Sequence, residues 1–194
     1  MRNVFIIHGS NGSPEENWFP WLKKELERLD NRVFVPRFPV PKAPTPGGHK
    51  LSEWIKTLDG YKPYINGDTI FVAHSRGCVF TYHYLAKIKS SISATFLIAP
   101  WINYIWYPNY KKIDSFHEVP FNWEKTRQGS RYFEVYQSTN DEIPVSEGKQ
   151  ITKNLNAKLI VIKNSGHFNT YTYKKFVKFP LLLKSVKDFI KNNS

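Results

Sequence analysis

The sequence predicts an α/β fold, a three-layer α/β/α sandwich on about six mostly parallel strands, and three observations carry that expectation. Apolar runs of strand length recur near residues 3–8, 32–36, 68–73, 93–99, 131–137 and 157–163. Segments with helical spacing separate these runs. The third run, Asp68-Thr69-Ile70-Phe71-Val72, leads directly into Ala73-His74-Ser75-Arg76-Gly77, where small residues flank a serine at a sharp strand-to-helix turn.

The elements follow in order. The first strand, Asn3 to Ile7, ends at His8-Gly9. Ser13-Pro14-Glu15-Glu16 fits a capping box with proline at the first helical position, and Pro20 marks a break before a main helix from about Phe19 to Leu29. Residues 37–48 are dense in proline and form a stiff loop, because each proline fixes φ and removes a backbone donor. A helix near 50–59 resumes the alternation, and another over 76–88 follows the serine turn. The fifth strand, Tyr132 to Gln137, and the sixth, Ala157 to Ile162, precede a C-terminal amphipathic segment. In that segment Leu181, Leu182, Leu183, Val186, Phe189 and Ile190 form an apolar face, opposed by Lys174, Lys175, Lys178, Lys184, Lys187 and Lys191. The chain reads as one domain, 1–194, with an aromatic-rich insertion at about 100–129 that serves either as a lid over the site or as a cover for the sheet edge.

The serine turn carries the chemistry. A helix starting at residue 76 aims backbone N–H groups and the positive end of its dipole at Ser75, so an oxyanion formed there is stabilised. Ser75 as a mere helix cap is the plain alternative. A nucleophilic serine needs a base, and the base an orienting acid. His167 in Asn164-Ser165-Gly166-His167-Phe168 follows the sixth strand, and Asp141 in Asn140-Asp141-Glu142-Ile143-Pro144-Val145 follows the fifth. The resulting chain order is Ser, Asp, His. The backbone N–H of Arg76 and one from the loop after the first strand, at Ser10, are the expected oxyanion donors. The Arg76 side chain either meets an acidic substrate or lies solvated or salt-bridged. Trp101, Tyr104 and Phe168 are the expected pocket residues. Of the other histidines, His8 and His74 read as packing residues, His83 as a core or surface residue, and His49 and His117 fall in irregular segments.

The net charge of +12 raises nucleic acid or an anionic membrane as partners. The lysines are spread along the chain and no nucleic-acid motif is present, so no nucleic acid is expected and membrane association is not expected. No apolar run reaches the roughly 20 residues needed to span a bilayer. The single cysteine, Cys78, makes no internal disulfide, and the apolar run at the start is too short for a secretory signal; both suit the cytoplasm. No metal site and no cofactor is expected.

In its opening His8-Gly9-Ser10, the stretch Asn17-Trp18-Phe19-Pro20-Trp21-Leu22, residues 73–77, Asn140 to Val145, and Gly166-His167-Phe168, the chain resembles the small α/β-hydrolase family related to retinoblastoma-binding serine hydrolase. The resemblance covers nearly the whole chain. It implies a minimal α/β-hydrolase fold with Ser75, Asp141 and His167 as triad. The expected function is a serine hydrolase, carboxylesterase-like, acting on a small-molecule acyl substrate. The alternative is a hydrolase-fold module that binds a protein partner with little or no turnover. Ala73, where the family pattern has glycine, and the basic balance are departures, and neither removes a catalytic group.

Overall fold

A computed structural model describes residues 1–41, 48–103 and 115–193. Six strands, β1 (Asn3–Ile7), β2 (Arg32–Phe34), β3 (Ile70–His74), β4 (Ala94–Ile98), β5 (Phe133–Ser138) and β6 (Lys158–Ile162), form one sheet in the order β2-β1-β3-β4-β5-β6. Every neighbouring pair is parallel. β3, β4 and β5 are buried along their whole length; in β3 and β4 this accounts for the near-continuous apolar runs, because a strand covered on both faces has no solvent side to alternate with, while β5 also buries Glu134, which accepts from the Tyr132 and Tyr136 hydroxyls. The helices are α1 (Phe19–Glu27), α2 (Leu51–Asp59), α3 (Arg76–Leu85), α4 (Trp123–Gln128), α5 (Val145–Leu155) and α6 (Pro180–Asn192). α1 packs with α6, while α2, α3, α4 and α5 contact one another in a row, giving the two helical layers of a minimal α/β-hydrolase fold.

Strand order fixes where a site can form. The chain leaves β1 for β2 on one side and returns to β3 on the other, so the loops after β1 and β3 diverge at their carboxyl ends and open a crevice. Ser75 follows β3 and Gly9-Ser10 follows β1, which brings both to that crevice.

The structure corrects several boundaries. Ser13 to Glu16 forms a turn instead of opening a helix, because Asn17 adopts φ +54° and interrupts the helical run. α1 therefore starts at Phe19, with Pro20 in its first turn, where the missing N–H has no partner to lose. Lys174 and Lys175 lie in a separate 3₁₀ turn, Lys174–Val177, ahead of α6. α6 follows the expected amphipathic pattern in burying Leu182 and Val186 and exposing Lys184 and Lys187, but Leu181, placed on the apolar face, is exposed, and Lys178 precedes the helix. Part of the aromatic insertion is helical, as α4, capped by the Asn122 side chain accepting from the Lys125 N–H. Among the described residues no helix is long and apolar enough to cross a membrane.

Candidate active site

Ser75 sits between β3 and α3 with φ +54° and ψ −121°, a conformation that costs a non-glycine residue on the order of 1–3 kcal/mol. Two bonds hold it there: its N–H donates to the Ile98 carbonyl of β4 at 2.9 Å, and its own carbonyl accepts from Cys78 N–H at 2.9 Å. Close packing explains the small neighbours. A Cβ on Gly77 would lie 2.6 Å from the Ile7 carbonyl oxygen and 2.7 Å from that of His8, so α3 could not approach β1 with any side chain there. A Cβ on Gly9 would stand 2.9 Å from Ser75 Cβ and 3.4 Å from its Oγ. Ala73, by contrast, is buried in the ladder between Ile7 and Leu97, where its single methyl is accommodated.

The loops after β5 and β6 bring Asp141 and His167 together. His167 Nδ1 lies 3.1 Å and 3.0 Å from the two Asp141 carboxylate oxygens. A carboxylate can only accept, so Nδ1 carries the proton and the Nε2 lone pair is left for a substrate or nucleophile. The Asp141 side chain is fully enclosed and also accepts from Ile143 N–H at 3.2 Å. Cross-links fix the two loops: Asn140 Oδ1 accepts from Gly166 N–H at 2.8 Å, and Ser138 Oγ accepts from Ser165 N–H at 2.9 Å. Among the described residues the hydrogen bonds of the His167 ring run to Asp141, and none reaches Ser75 Oγ. Contacts of this kind often close only when substrate binds.

Three residues that sequence reasoning did not assign to the site hold the His167 loop from below. His74 donates its Nε2–H to the His167 carbonyl at 2.8 Å, Trp18 donates its indole N–H to the Phe168 carbonyl at 3.0 Å, and Asn17 Oδ1 accepts from Thr170 N–H at 2.9 Å. The hint in the sequence was that all three belong to stretches carrying the family resemblance, Asn17 and Trp18 in 17–22 and His74 in 73–77. His74 is buried, in keeping with the packing role expected of it, and burial together with the nearby His167 lowers its pKa to about 3. His8 performs the packing role expected of it. Its Nε2 accepts from Phe38 N–H at 3.0 Å, so Nδ1 carries the proton and donates to the Gly9 carbonyl at 2.9 Å, and burial lowers its pKa.

A cleft of about 380 Å³ is lined by Ser75 and His167 together with Ser10, Glu16, Asn17, Asn169, Thr170, Tyr171 and Lys174. Phe168 does not reach it. With φ +52° its ring turns inward, fully buried and stacked on Phe179 at 5.4 Å, so it is a core residue and not a pocket wall. Trp101 is also buried, stacked on His117 at 4.8 Å, and Tyr104 lies outside the described residues. The Arg76 side chain is neither solvated nor open to a substrate, being only 2% exposed. Glu147 of α5 pins the chain beyond β4, accepting from the backbone N–H groups of Ile102 at 2.6 Å and Asn103 at 3.1 Å. Asp141, Glu142 and His167 offer three potential metal-ligand atoms within 4.8 Å, but the Asp141–His167 hydrogen bond already engages two of those groups with each other. A larger hollow of about 620 Å³ opens around Arg2, Glu134 and Lys158 at the opposite end of the strands. Its charges are internally matched, as in Lys158–Glu134 at 3.2 Å and Arg2–Asp68 at 3.9 Å, and it holds no activated nucleophile.

Comparison with known proteins places the chain in a family. Residues 4–186 match the serine hydrolase family model. The chain is 28% identical over 170 residues to YdeN of Bacillus subtilis, covering 86% of each chain, and 22% identical over 176 residues to the serine hydrolase RBBP9 of Rattus norvegicus, covering 89% of this chain and 90% of that one. The crystal structure of the B. subtilis ydeN product superposes with a TM-score of 0.87 at 25% identity, over 98% of this chain and 100% of that one. Est1E from Butyrivibrio proteoclasticus shares the fold at a TM-score of 0.74 and 16% identity, over 99% and 89% of the two chains. A match that runs from β1 to α6, on a sheet that sets a serine at the switch point of its strand order, identifies the chain as a member of the serine hydrolase family.

Proposed function

We propose that this hydrolase is a carboxylesterase-like enzyme that cleaves a small ester or related acyl substrate through an acyl-enzyme formed on Ser75. The observation that carries the proposal is the His167–Asp141 contact at 3.0 Å, made beside a cleft that Ser75 and His167 share. His167 Nε2 takes the hydroxyl proton as Ser75 Oγ attacks the carbonyl carbon. The tetrahedral intermediate expels the alcohol, which leaves with the proton from the imidazolium. Water then repeats the sequence, and the acid is released with Ser75 regenerated. Asp141 holds the Nδ1–H tautomer and supports the imidazolium that forms in each half-reaction. The backbone N–H groups of Arg76, at the start of α3, and of Ser10, beyond β1, serve as oxyanion donors. The polar lining from Glu16, Asn17, Asn169, Thr170 and Lys174 suits a small, hydrogen-bonding substrate better than a long acyl chain. A single, buried Cys78 accords with a cytoplasmic setting.

A fluorophosphonate probe tests this without knowledge of the substrate. Wild-type protein should label, and Ser75→Ala and His167→Ala should not, although Ser75→Ala folds normally. Labelling or esterase turnover that survives in pure Ser75→Ala would place the nucleophile elsewhere. Folded wild-type protein that neither labels nor turns over esters would favour the protein-binding role.

A further inference from the structure

We propose that the Arg76 side chain is a positioning residue that ties the two oxyanion donors together, an inference that rests on the acyl-transfer function proposed above. α3 is buried along its whole length, so its first residue, although charged, has to find its partners inside the protein. Arg76 is 2% exposed, and its Nε–H donates to Ser10 Oγ at 2.7 Å. Its guanidinium lies 5.2 Å from the Phe116 ring and 5.8 Å from that of Trp101, so the planar group is packed against aromatic rings rather than left to swing. One end of this strap is therefore the residue whose own N–H is the first donor, and the other is the residue supplying the second. The strap reaches the loop at its exposed turn. Ser10 is exposed and followed by Asn11 with φ +51°, while the next loop bond, Gly12 N–H to the Gly9 carbonyl, is long at 3.3 Å. The His8 Nδ1–H bond to the Gly9 carbonyl, at 2.9 Å, fixes the loop up to Gly9, and the strap is the side-chain bond that reaches Ser10 itself. Oxyanion stabilisation is sensitive to the spacing between the two N–H groups, because donors act at full strength only when aimed at the place where charge develops.

The test is a double-mutant cycle on Ser10→Ala and Arg76→Lys, read as fluorophosphonate labelling rates and as kcat and KM on a short-chain ester, with thermal midpoints measured in parallel. Ser10→Ala keeps the backbone N–H and removes only the acceptor Oγ of an exposed side chain, so it folds even if the Arg76 variant does not. We expect Ser10→Ala to lower kcat and the labelling rate by about tenfold, less than the roughly 100-fold or greater loss of a whole donor, with KM little changed and a modest drop in the thermal midpoint from the Arg76 Nε–H left without its acceptor. The double variant should be no slower than Arg76→Lys alone, since both substitutions cut one connection. Wild-type rates in Ser10→Ala, or losses that multiply in the double variant, would overturn the strap. The latter result would assign Ser10 Oγ and Arg76 to separate tasks. Wild-type labelling that is absent, or that persists in Ser75→Ala, would instead overturn the acyl-transfer function itself, so the two failures are distinguishable.

Discussion

Acidification from pH 7 to pH 5 should destabilise the fold steeply, because buried histidines sit in it uncharged. Burial is the main cause that lowers His74 to about 3 and His49 to about 4, helped by the charges of His167 and Arg76 respectively. Both residues are only 4% exposed. In the unfolded chain each titrates near 6.5. The folded values lie below the unfolded one, so stability is full above about pH 6.5 and is lost as pH falls, while the unfolded chain takes up protons that the native state refuses. Integrated from pH 7 to pH 5, one such histidine removes about 2 kcal/mol, and His74 with His49 about 4 kcal/mol. His117, lowered to about 4, adds to the loss, and so does His8. Against a typical total of about 5–15 kcal/mol, the sum is a large share of the stability. Urea unfolding followed by tryptophan fluorescence at pH 7, 6 and 5 measures it. His74→Phe supplies the control: it is less stable at pH 7, having left the His167 carbonyl without a donor, but its decrement between pH 7 and pH 5 should shrink by about 2 kcal/mol. A flat wild-type profile, or an unchanged decrement in the variant, would refute the reasoning.

Three further outcomes are expected. Gly77→Ala puts a methyl 2.6 Å from the Ile7 carbonyl oxygen, against backbone that cannot yield, and should fail to accumulate as folded protein, whereas Gly9→Ala meets the Ser75 side chain at 2.9 Å and should fold with fluorophosphonate labelling slowed at least tenfold; normal labelling in Gly9→Ala would contradict this. Trp18→Phe removes the donor to the Phe168 carbonyl and should lower stability by about 1–3 kcal/mol and slow labelling together, as seen by chemical denaturation and probe kinetics. Cys78 is fully buried, burial pushes its thiol pKa up, and its Sγ–H points at the Ala73 carbonyl; Ellman's reagent should leave it untouched in native protein and titrate one thiol in denaturant.

What the sequence could and could not disclose follows from the range of the forces involved. The strands and the serine turn were legible because they are written in consecutive residues: a doubly covered strand is mostly apolar, and a strand that reverses into a helix is flanked by small residues. Asp141 and His167 could be found because they follow strands whose carboxyl ends a parallel sheet necessarily gathers on one side. Ser13 to Glu16 misled because a capping box is a local preference worth about 1 kcal/mol, and Asn17 is instead held in a left-handed conformation by its bond to Thr170, 153 residues away. Phe168 misled for the opposite reason. Its neighbour His167 faces the cleft, but a positive φ at 168 turns the next ring into the core, and no pattern of residue types records the sign of a dihedral angle. The same limit hid His74. It lies beside the nucleophile in sequence, but its donor reaches across to the carbonyl of the base, so nucleophile and base are joined by a neutral ring whose protonation would put an uncompensated charge beneath both. A buried histidine in that place links the stability of the fold and the geometry of the site to the same proton.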